Sequence, residues 1–483
     1  MGKEITTLEP QSVWSNFYSL TQIPRPSKHE GKALDFIAEY GMSLALEVVR
    51  DAVGNVIIRK PASPGMENKQ GVILQAHADM VPQKSFDSTH DFINDPIETV
   101  IDGGIVRADG TTLGADNGIG VAAAMAVLAD KSLVHPPLEV LITTDEETGM
   151  TGAFGLQPDV LRGKVLLNLD SEEEGQLYVG CAGGINVTST FRFNRVETAH
   201  DDVAVKVTLS GLQGGHSGLD INAGRANANK LLFRFLKFAA ANYEAMLVEV
   251  NGGNMRNAIP REAYAILTID AEDKDDFIEA VEEYEELFRE EFSSAEPDMV
   301  FEAEFVAKPD MVIDEMSADD VINAVQGSVD GVVKMSSEIE GMVETSSNLA
   351  IVETCDDMIR VKYLVRSAVE SAKEDVVSTL ESVCRLAGGE VETDGEYPGW
   401  KPNSESAVLR TMTQVYASLY GTSPKVTAIH AGLECGILGA TYPDWDMVSF
   451  GPTIRYPHSP SEHVEVASVK RFWDYLVATL KAL

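Results

Sequence analysis

The sequence predicts an α/β fold with an inserted α+β region, and three observations support this prediction. Short apolar strand-type runs alternate with helical patterns up to about Asp170. After Gly183-Gly184 the pattern changes to longer and more polar alternation, interleaved with helices. From Trp400 onward the α/β pattern resumes. The first domain is therefore predicted to be discontinuous, with its last strands supplied by the C-terminal part of the chain.

The length of 483 residues exceeds what one hydrophobic core normally supports, so at least two domains are expected. We predict one domain from residues 1–186 and 399–483 and a second, inserted domain from residues 187–398.

The elements of the first region follow from the spacing of its apolar residues. Ser27–Glu30 has the spacing of a capping box and precedes an apolar stripe at Ala33, Phe36 and Ile37, which predicts a helix. The further elements predicted here are a helix at Gly118–Ala129 and strands at Asn55–Ile58, Val72–Ala76, Leu138–Thr144 and Val165–Leu169.

The inserted and C-terminal regions are interpreted in the same way. Predicted strands of the insertion are Val203–Leu209, Ala263–Ile269, Phe301–Phe305 and Met358–Leu364, with helices near Ala226–Ala240 and Ala372–Leu386. The acidic run Glu272–Glu291 predicts a helix with a solvated face and with Phe277, Ala280, Val281 and Leu287 turned inward. The C-terminal region predicts helices at Ser406–Tyr420 and Ser468–Leu483 and a strand at Met447–Phe450.

The net charge of −38 argues against a nucleic-acid partner, because phosphates require Lys and Arg. No segment approaches the ~18 consecutive apolar residues of a membrane span, so no membrane partner is expected. The four cysteines are far apart and show neither zinc-finger spacing nor a disulfide framework, which indicates reduced, buried thiols. We therefore expect a cytoplasmic protein.

Acidic residues and histidines stand where the apolar runs of the first region end; in chain order they are His77, Asp79, Glu146, Glu147 and Asp170. An open α/β sheet builds its sites outside the carboxyl ends of its strands, so these side chains are expected to face one another. Two further candidates are Asp116, where an apolar helix opens, and His458, in a proline-rich loop near the C-terminus.

Together these residues match what two divalent metal ions require: a bridging carboxylate, terminal ligands and an open position for water. His77 and His458 can each give a neutral nitrogen to one metal. Asp116 can bridge, and Glu147 and Asp170 can complete opposite sides. The sequence therefore predicts a two-metal site.

Two carboxylates beside the ligands are predicted to be catalytic. Adjacent Glu146 and Glu147 cannot both point at one metal from a regular strand, but a turn can divide their roles. Glu147 would then ligate, and Glu146 would take a proton from the bridging water. Asp79 shares a face with His77 and can accept its ring N–H, which would fix the tautomer.

His216 lies in Gly214–Gly218 of the inserted region, apart from the other candidates. The flanking glycines permit a substrate to approach closely. His216 is therefore interpreted as an electrophile that polarises a carbonyl under attack and stabilises the oxyanion. The alternative is a turn that contains an incidental histidine.

Taken singly, each candidate has a simpler explanation. A His-x-Asp pair, or an Asp at a helix start, is usually a surface pair or an N-cap. Adjacent glutamates commonly serve solubility alone. Five ligand-type residues at element ends within one α/β pattern favour a metal site instead.

These residues, in this order, resemble the co-catalytic di-zinc metallopeptidases, a family that includes aminoacylases and carnosinases. Within it the closest resemblance is to dipeptidases that cleave Xaa-His dipeptides. The stretches that carry the resemblance are Gln75–Val81, Leu113–Gly120, Thr144–Gly149, Asn168–Glu172, Gly214–Gly218, Ala428–Gly436 and Gly451–Pro460. The resemblance implies His77, Asp116, Glu147, Asp170 and His458 as metal ligands and Asp79, Glu146 and His216 as catalytic residues.

Weaker parts of the resemblance concern the two ends of a substrate. Arg366 and Asn257 resemble residues that hold the peptide carboxylate or the carbonyl oxygen, although an Arg after a strand is usually a surface ion pair. Glu434 is expected either to meet a substrate amino group or to serve its loop. His463, close to His458, is an alternative ligand. The family also implies a cis peptide bond between Asp116 and the following Asn117.

The resemblance implies a discontinuous catalytic domain that holds two divalent metal ions, zinc first, with manganese or cobalt as alternatives. The expected reaction is hydrolysis of dipeptides, Xaa-His and related ones, by a metal-activated water. The inserted domain is expected to act as a lid and to pair two subunits into a homodimer. One alternative is an aminoacylase-type hydrolase of N-acyl or carbamoyl amides on the same site. Another is a binding protein that retains the fold without catalysis.

Overall fold

The computed structural model describes residues 2–483. The helices are α1 (Gln11–Thr21), α2 (Gly31–Ser43), α3 (Ala115–Ala129), α4 (Glu146–Gly149), α5 (Thr151–Gly155), α6 (Ala228–Tyr243), α7 (Lys274–Glu291), α8 (Glu315–Gly327), α9 (Glu370–Leu386), α10 (Ala407–Tyr420), α11 (Glu434–Thr441) and α12 (Val466–Ala482). Short 3₁₀ helices lie at Lys3–Thr7 and Ala271–Asp273.

The strands are β1 (Glu47–Arg50), β2 (Val56–Lys60), β3 (Val72–His77), β4 (Thr99–Asp102), β5 (Ile105–Ala108), β6 (Leu138–Thr143), β7 (Val165–Asn168), β8 (Gln176–Cys181), β9 (Gly183–Arg192), β10 (Arg195–Glu197), β11 (Asp202–Ser210), β12 (Gly215–His216), β13 (Met246–Gly252), β14 (Ala258–Ile259), β15 (Ala263–Asp270), β16 (Val300–Val306), β17 (Met311–Ile313), β18 (Gly331–Met335), β19 (Val343–Cys355), β20 (Met358–Ser367), β21 (Glu390–Tyr397), β22 (Lys425–Ile429), β23 (Asp446–Ser449), β24 (Ile454–Arg455) and β25 (His463–Glu465). Every helix and strand given a range above from the sequence is present, with ends that shift by a few residues. The predicted α/β class with an inserted α+β region is confirmed.

The chain forms two compact units. The first contains the chain up to Gly180, Pro402–Ala428 and Leu433–Leu483. The second contains Cys181–Lys401 and the short segment Ile429–Gly432.

The main sheet of the first unit is mixed and has the order β1-β2-β6-β3-β7-β23-β8-β22. Its centre, β6-β3-β7-β23, is parallel. All residues of β3, β6 and β7 are buried, as expected for strands covered on both faces. These three strands end at His77, Thr143 and Asn168. Their carboxyl ends therefore bring the three predicted site segments to one edge of the sheet.

Glu30 precedes α2, but the capping box predicted there is wrong. The Glu30 side chain makes no cap hydrogen bond to the helix. Its Oε1 atom instead accepts hydrogen bonds from the Thr144 hydroxyl and from the Asp145 N–H, the latter at 3.0 Å. Glu30 thus anchors the chain where it leaves β6.

The second unit is built on a large antiparallel sheet in the order β16-β11-β15-β13-β19-β20-β9-β21, with β18 paired to β19. Its core contains a cluster of aromatic rings in which Phe235 contacts Phe277, Tyr284 and Phe301. On α7, Phe277, Ala280 and Val281 are buried as predicted. The prediction for Leu287 is wrong: it is exposed, and the neighbouring Phe288 packs into the core instead.

Cys181, Cys384 and Cys435 are buried, as predicted. Cys355 is only partly buried, contrary to the prediction. Within residues 2–483, no helix combines the length and apolar character that crossing a membrane requires.

Candidate metal centre and carbonyl-binding residues

Asp116 lies between two histidines and presents one carboxylate oxygen to each. Its Oδ1 atom is 3.1 Å from His77 Nε2, and its Oδ2 atom is 3.2 Å from His458 Nε2. His77 ends β3 and is almost fully buried, whereas His458 lies in a loop with a positive φ of 58°. A carboxylate in this arrangement can bridge two cations.

Each histidine has a second carboxylate beside it. His77 Nε2 is 3.2 Å from Asp170 Oδ1, just after β7, and His458 Nε2 is 3.0 Å from Glu147 Oε2, in α4. These contacts form two groups, each with ligand atoms close enough to hold one ion. The first group is His77, Asp116 and Asp170, and the second is Asp116, Glu147 and His458. The structure thus brings together all five residues that the sequence proposes as ligands.

The carboxylates set the protonation of both imidazoles. Burial opposes the charge on His77, but Asp170 and Asp116 raise its pKa well above the ordinary value. Hydrogen bonds to Asp116 and Glu147 raise the pKa of His458 to about 11. Because metals bind neutral imidazole, cation binding at this site would displace these protons.

Burial and negative charge also act on the carboxyl groups. Burial raises the pKa of Asp170 to about 6, and it raises the pKa of Glu172, beside Asp116, to about 9. One buried oxygen of the group, Glu147 Oε1, accepts no hydrogen bond within residues 2–483. Buried acidic oxygens without donors are what divalent cations would satisfy, so the donor set fits two such ions.

Asp79 is fully buried and organises two neighbours at once. His77 Nδ1 lies 3.2 Å from the Asp79 carbonyl oxygen and 3.4 Å from its Oδ1 atom. The Asp79 carboxylate also accepts the backbone N–H groups of Glu146 at 2.9 Å and Glu147 at 3.2 Å. Burial alone would raise the pKa of Asp79, but the hydrogen bond from His77 and the positive charge of His77 help lower it to about 2. Asp79 therefore stays ionised and ties the β3 end to α4.

Glu146 and Glu147 are successive residues at the start of α4. The preceding Asp145 has a positive φ of 50°, which turns the chain sharply out of β6. Glu147 faces His458, and Glu146 belongs to a third group with His77 and Glu147. Burial raises the pKa of Glu146 well above the ordinary carboxyl value. A carboxylate with a raised pKa takes up a proton more readily than an ordinary one, as a general base must.

The bond between Asp116 and Asn117 is cis, as the resemblance implies. The segment before it, Leu113–Asp116, contains Gly114 with a positive φ of 70°. A Cβ atom at Gly114 would lie 2.6 Å from Arg25 Nη2, and the positive φ would strain any residue with a side chain, so both features favour glycine.

His216 lies in the second unit, at the end of β12. Its Nδ1 atom accepts the N–H groups of Gly218 and Leu219, both at 3.1 Å. An Nδ1 that accepts must be unprotonated, so the neutral ring carries its proton on Nε2. Burial, followed by the charge of Arg366, lowers the pKa of His216. His216 is therefore a neutral imidazole with an Nε2–H donor.

Arg366 belongs to β20 of the same unit and is 95% buried, at 5% exposure. It donates from Nε to Ser217 Oγ at 3.3 Å and from Nη1 to Tyr397 Oη at 2.8 Å. No carboxylate of residues 2–483 forms an ion pair with it. The surface ion pair considered from the sequence is thus wrong, and Arg366 is a buried cation that lacks an anion.

The other proposed substrate residues lie in different surroundings. Asn257 is exposed, and its carbonyl oxygen accepts the Ser217 N–H at 2.9 Å, next to His216. Glu434 belongs to the first unit, where Oε2 accepts from Gln75 at 2.6 Å and Thr143 at 2.7 Å. Burial raises the pKa of Glu434 to about 8.

His463, the alternative ligand, is not brought to the metal centre. It is part of β25, and its Nδ1 contacts the Ser461 carbonyl oxygen at 2.9 Å. It belongs to none of the ligand groups found in residues 2–483.

Two charged residues in the first unit were missed from the sequence. Arg25 donates to the carbonyl oxygens of Ala78 and Asp79, and Glu462 accepts backbone N–H groups before Asp116. The position of Glu462 only four residues after His458 is the one signal that pointed to it.

Residues 73–482 match the model described as "Peptidase family M20/M25/M40". The chain is 46% identical over 480 residues to the cytosol non-specific dipeptidase of Escherichia coli, an alignment that covers 99% of both proteins.

Two solved structures are similar to this chain over nearly its whole length. The aminoacylhistidine dipeptidase from Vibrio alginolyticus is 48% identical, with a TM-score of 0.95 over 100% of this chain and 98% of that one. The aminopeptidase PepT from Bacillus cereus is 16% identical, with a TM-score of 0.58 over 98% of this chain and 99% of that one, and shares the fold.

Proposed function

Because the chain belongs to peptidase family M20/M25/M40, we propose that it is a metal-dependent dipeptidase that hydrolyses the peptide bond of short peptides. The family inferred from the motifs is confirmed. The observation that carries the proposal is the position of Asp116, which offers one oxygen to each of two histidines. The similarity to two dipeptidases over nearly the whole chain supports the same conclusion.

The proposed cofactor is a pair of divalent ions, zinc first, with manganese or cobalt as alternatives. His77 and Asp170 would hold one ion, His458 and Glu147 the other, and Asp116 both. When bound, such ions lower the pKa of a water molecule and polarise a carbonyl oxygen. The mixture of imidazole and carboxylate donors suits each of these three metals.

Glu146 is the proposed general base. Its carboxylate would take a proton from the attacking water and deliver it to the departing amine nitrogen. Its raised pKa supports this role, because a base that is too acidic would not hold the proton between the two steps. Asp79 is a positioning residue that holds the His77 ring and the backbone of Glu146 and Glu147.

His216 is the proposed donor to the developing oxyanion. Its Nδ1 is occupied by two backbone N–H groups, so the Nε2–H is the hydrogen that it can offer. A neutral ring suits this task, since it donates a hydrogen bond without adding a titratable charge. Whether it acts in its own subunit or in a neighbouring one is decided by a mixed-subunit experiment with a His216→Ala chain.

Arg366 is the proposed partner of the substrate carboxylate. A buried guanidinium without a carboxylate is costly, and a bound carboxylate would remove that cost. Asn257, whose backbone accepts a hydrogen bond from the residue after His216, is proposed to contact the carbonyl oxygen of the substrate. Glu434 is proposed to meet the substrate amino group through Oε1, which accepts no hydrogen bond within residues 2–483.

The proposed substrates are unblocked dipeptides of broad range, Xaa-His peptides included. The name of the E. coli relative, a non-specific dipeptidase, favours breadth, and that of the Vibrio relative favours aminoacyl-histidine peptides. The E. coli name also supports a cytoplasmic location.

We further propose that the two compact units, with Cys181–Lys401 in the second instead of the 187–398 predicted from the sequence, act as catalytic and lid domains, and that the lid pairs two subunits. Val332, Val333 and Met335 of β18 are exposed apolar side chains on a strand of the second unit, which suits such pairing. Sedimentation velocity of the wild type and of a Val333→Asp variant tests this: a dimer that the variant dissociates is expected, and a wild-type monomer would refute it.

The experiment that tests the function is amino-group release from a dipeptide panel by chelator-treated protein before and after zinc or manganese is restored. The panel includes β-alanyl-histidine, other Xaa-His peptides and N-acetyl amino acids. Return of dipeptide hydrolysis only with metal is expected. Two bound metals with cleavage of N-acetyl amino acids alone would replace the proposal with an aminoacylase-type activity.

A further inference from the structure

Glu462 accepts four consecutive backbone N–H groups, and these lead directly to Asp116. Its Oε2 atom accepts from Leu113 at 2.7 Å and Gly114 at 2.9 Å, and its Oε1 atom accepts from Ala115 at 2.8 Å and Asp116 at 3.2 Å. Successive amides that converge on one anion form a concave nest that fixes the backbone. We call residues 113–116 the bridge loop.

Glu462 also belongs to the chain segment that carries His458. Only three residues separate them, and Glu462 is 98% buried, at 2% exposure. His458 and Asp116 are 342 positions apart in sequence, and yet both belong to one ligand group. The Glu462 carboxylate is therefore a direct connection between the segments that supply these two side chains.

Arg25 makes the matching connection on the other side of the bridge loop. Its Nη1 atom donates to the carbonyl oxygens of Ala78 at 2.8 Å and Asp79 at 3.1 Å, and Nη2 donates to that of Gly114. These carbonyls belong to the residues just after His77 and to the bridge loop itself. A side chain at Gly118, on the first turn of α3, would meet Arg25 Nη2 at 2.6 Å, so the guanidinium has a closely fitted site.

We infer that Glu462 and Arg25 are positioning residues that hold the bridge loop between the His458 segment and the β3 end, and thereby set the spacing of the two metal positions. This inference rests on the proposed function, because it assigns Asp116, His77 and His458 as ligands. The hydrogen bonds of both side chains described above go to backbone groups and not to ligand side chains. Both act through backbone groups next to the ligands.

Stability alone does not account for these two residues. Removing an arginine and a glutamate from water is costly, and apolar pairs of similar volume often give equal or greater stability. An apolar pair, however, could not form the hydrogen bonds that hold four backbone N–H groups and three backbone carbonyl groups in a fixed geometry. Groups that orient metal ligands typically change metal affinity 10-fold to 100-fold when removed.

The test compares Glu462→Gln with Glu296→Gln. Glu296 is a matched control, because it is also a buried glutamate and accepts two backbone N–H groups, from Gln213 at 2.7 Å and Ala226 at 2.9 Å, but it lies in the other unit. Zinc is titrated into metal-free protein against a chromophoric chelator. Hydrogen exchange of the bridge-loop amides is followed in the same metal-free samples. Arg25→Lys and Arg25→Met form a second pair, which also serves if Glu462→Gln does not fold.

Glu462→Gln is expected to weaken at least one zinc-binding step by about 10-fold or more and to speed exchange at residues 113–116. Glu296→Gln is expected to leave both zinc steps within about twofold while it lowers thermal stability. Arg25→Lys should retain tighter zinc binding than Arg25→Met. Unchanged zinc affinity in Glu462→Gln, or in Arg25→Met, would overturn the inference.

The same titration separates this inference from the proposed function. Wild-type protein that binds two zinc ions but cleaves no dipeptide would refute the proposed function and leave the positioning role intact. Dipeptide cleavage by wild type together with unchanged zinc binding in the variants would do the reverse. Wild-type protein that binds no zinc, manganese or cobalt would refute both.

Discussion

The Nε2 atom of His430 lies 2.7 Å from the hydroxyl oxygen of Ser346, in the buried interior of the second unit. Burial, then the charge of Arg366, lowers the pKa of His430 to about 3 from an unfolded value of 6.5. A histidine whose pKa is lower in the folded state adds stability above pH 6.5, and that stability is lost as the pH falls toward 3.

We therefore predict that His430→Gln reduces the dependence of stability on pH. Between about pH 7.5 and pH 5.5, the variant should lose about 1 kcal/mol less unfolding free energy than the wild type, because its unfolded state has one proton fewer to gain. Urea unfolding at the two pH values measures this. His200→Gln, at an exposed position, is the control. An equal loss in His430→Gln and wild type would contradict the prediction.

Glu146→Gln should remove turnover without removing metal. The amide keeps the size of the side chain but cannot accept a proton, so kcat is expected to fall by about 10²-fold to 10⁴-fold. Metal content measured by elemental analysis should match that of the wild type. Glu174→Gln, which removes a carboxylate that pairs with Arg471 in the same unit, is the control and should keep its activity. Normal turnover by Glu146→Gln with both metals bound would refute the proposed mechanism.

His458→Ala and His463→Ala should differ in metal binding. His458 contacts Asp116 and Glu147, whereas His463 contacts the Ser461 carbonyl oxygen. Loss of a ligand should weaken one metal step by 10-fold or more, and loss of His463 should leave both steps near the wild-type values. Competition titration with zinc gives the two constants. Equal weakening in both variants would return His463 to the list of ligands.

Arg366→Met should lower kcat/KM for dipeptides by about 10-fold to 100-fold, the value of one or two charge-assisted hydrogen bonds. Dipeptide amides, which lack the carboxylate, provide the decisive comparison, since the variant should lose the preference of the wild type for the free acid. Arg360→Met, on the same strand, should behave like wild type. An undiminished preference for the free acid in Arg366→Met would show that another group binds the carboxylate.

The cluster of proposed metal ligands could be predicted from the sequence because most of its members stand at or after the ends of strands with clear apolar patterns. His77 ends a buried parallel strand, and Glu147 and Asp170 each follow one. The ends of parallel strands lie at one edge of the sheet. Imidazole and carboxylate groups together are ligands for divalent metal ions, so the types of side chain in the cluster predicted metal binding.

Glu462 and Arg25 could not be predicted in the same way. Their partners are backbone N–H and C=O groups, which every residue carries, so no pattern of side chains marks them. The long strand β19 was missed for a related reason. After its first residue, Val343, come Glu344–Asn348, five buried polar residues, so this part of the strand gives no apolar signal.

Glu30 shows the opposite case, in which a local pattern was present but misleading. The capping-box spacing is real, yet the carboxylate reaches a segment 115 positions away instead of its own helix. A tertiary contact therefore replaced the local one that the spacing suggested.

The 342 positions between Asp116 and His458 have a consequence for the protein during its synthesis. At ribosomal rates of about 5 to 20 residues per second, roughly 17 to 70 s pass between the appearance of the first of these side chains and that of the second. For most of that interval the nascent chain already has β3, β6 and β7, but it still lacks His458, one of the three residues proposed to hold the second ion. Hydrolytic competence would thus arrive late, after most of the polypeptide has left the ribosome, and prematurely terminated fragments would be inert toward peptides.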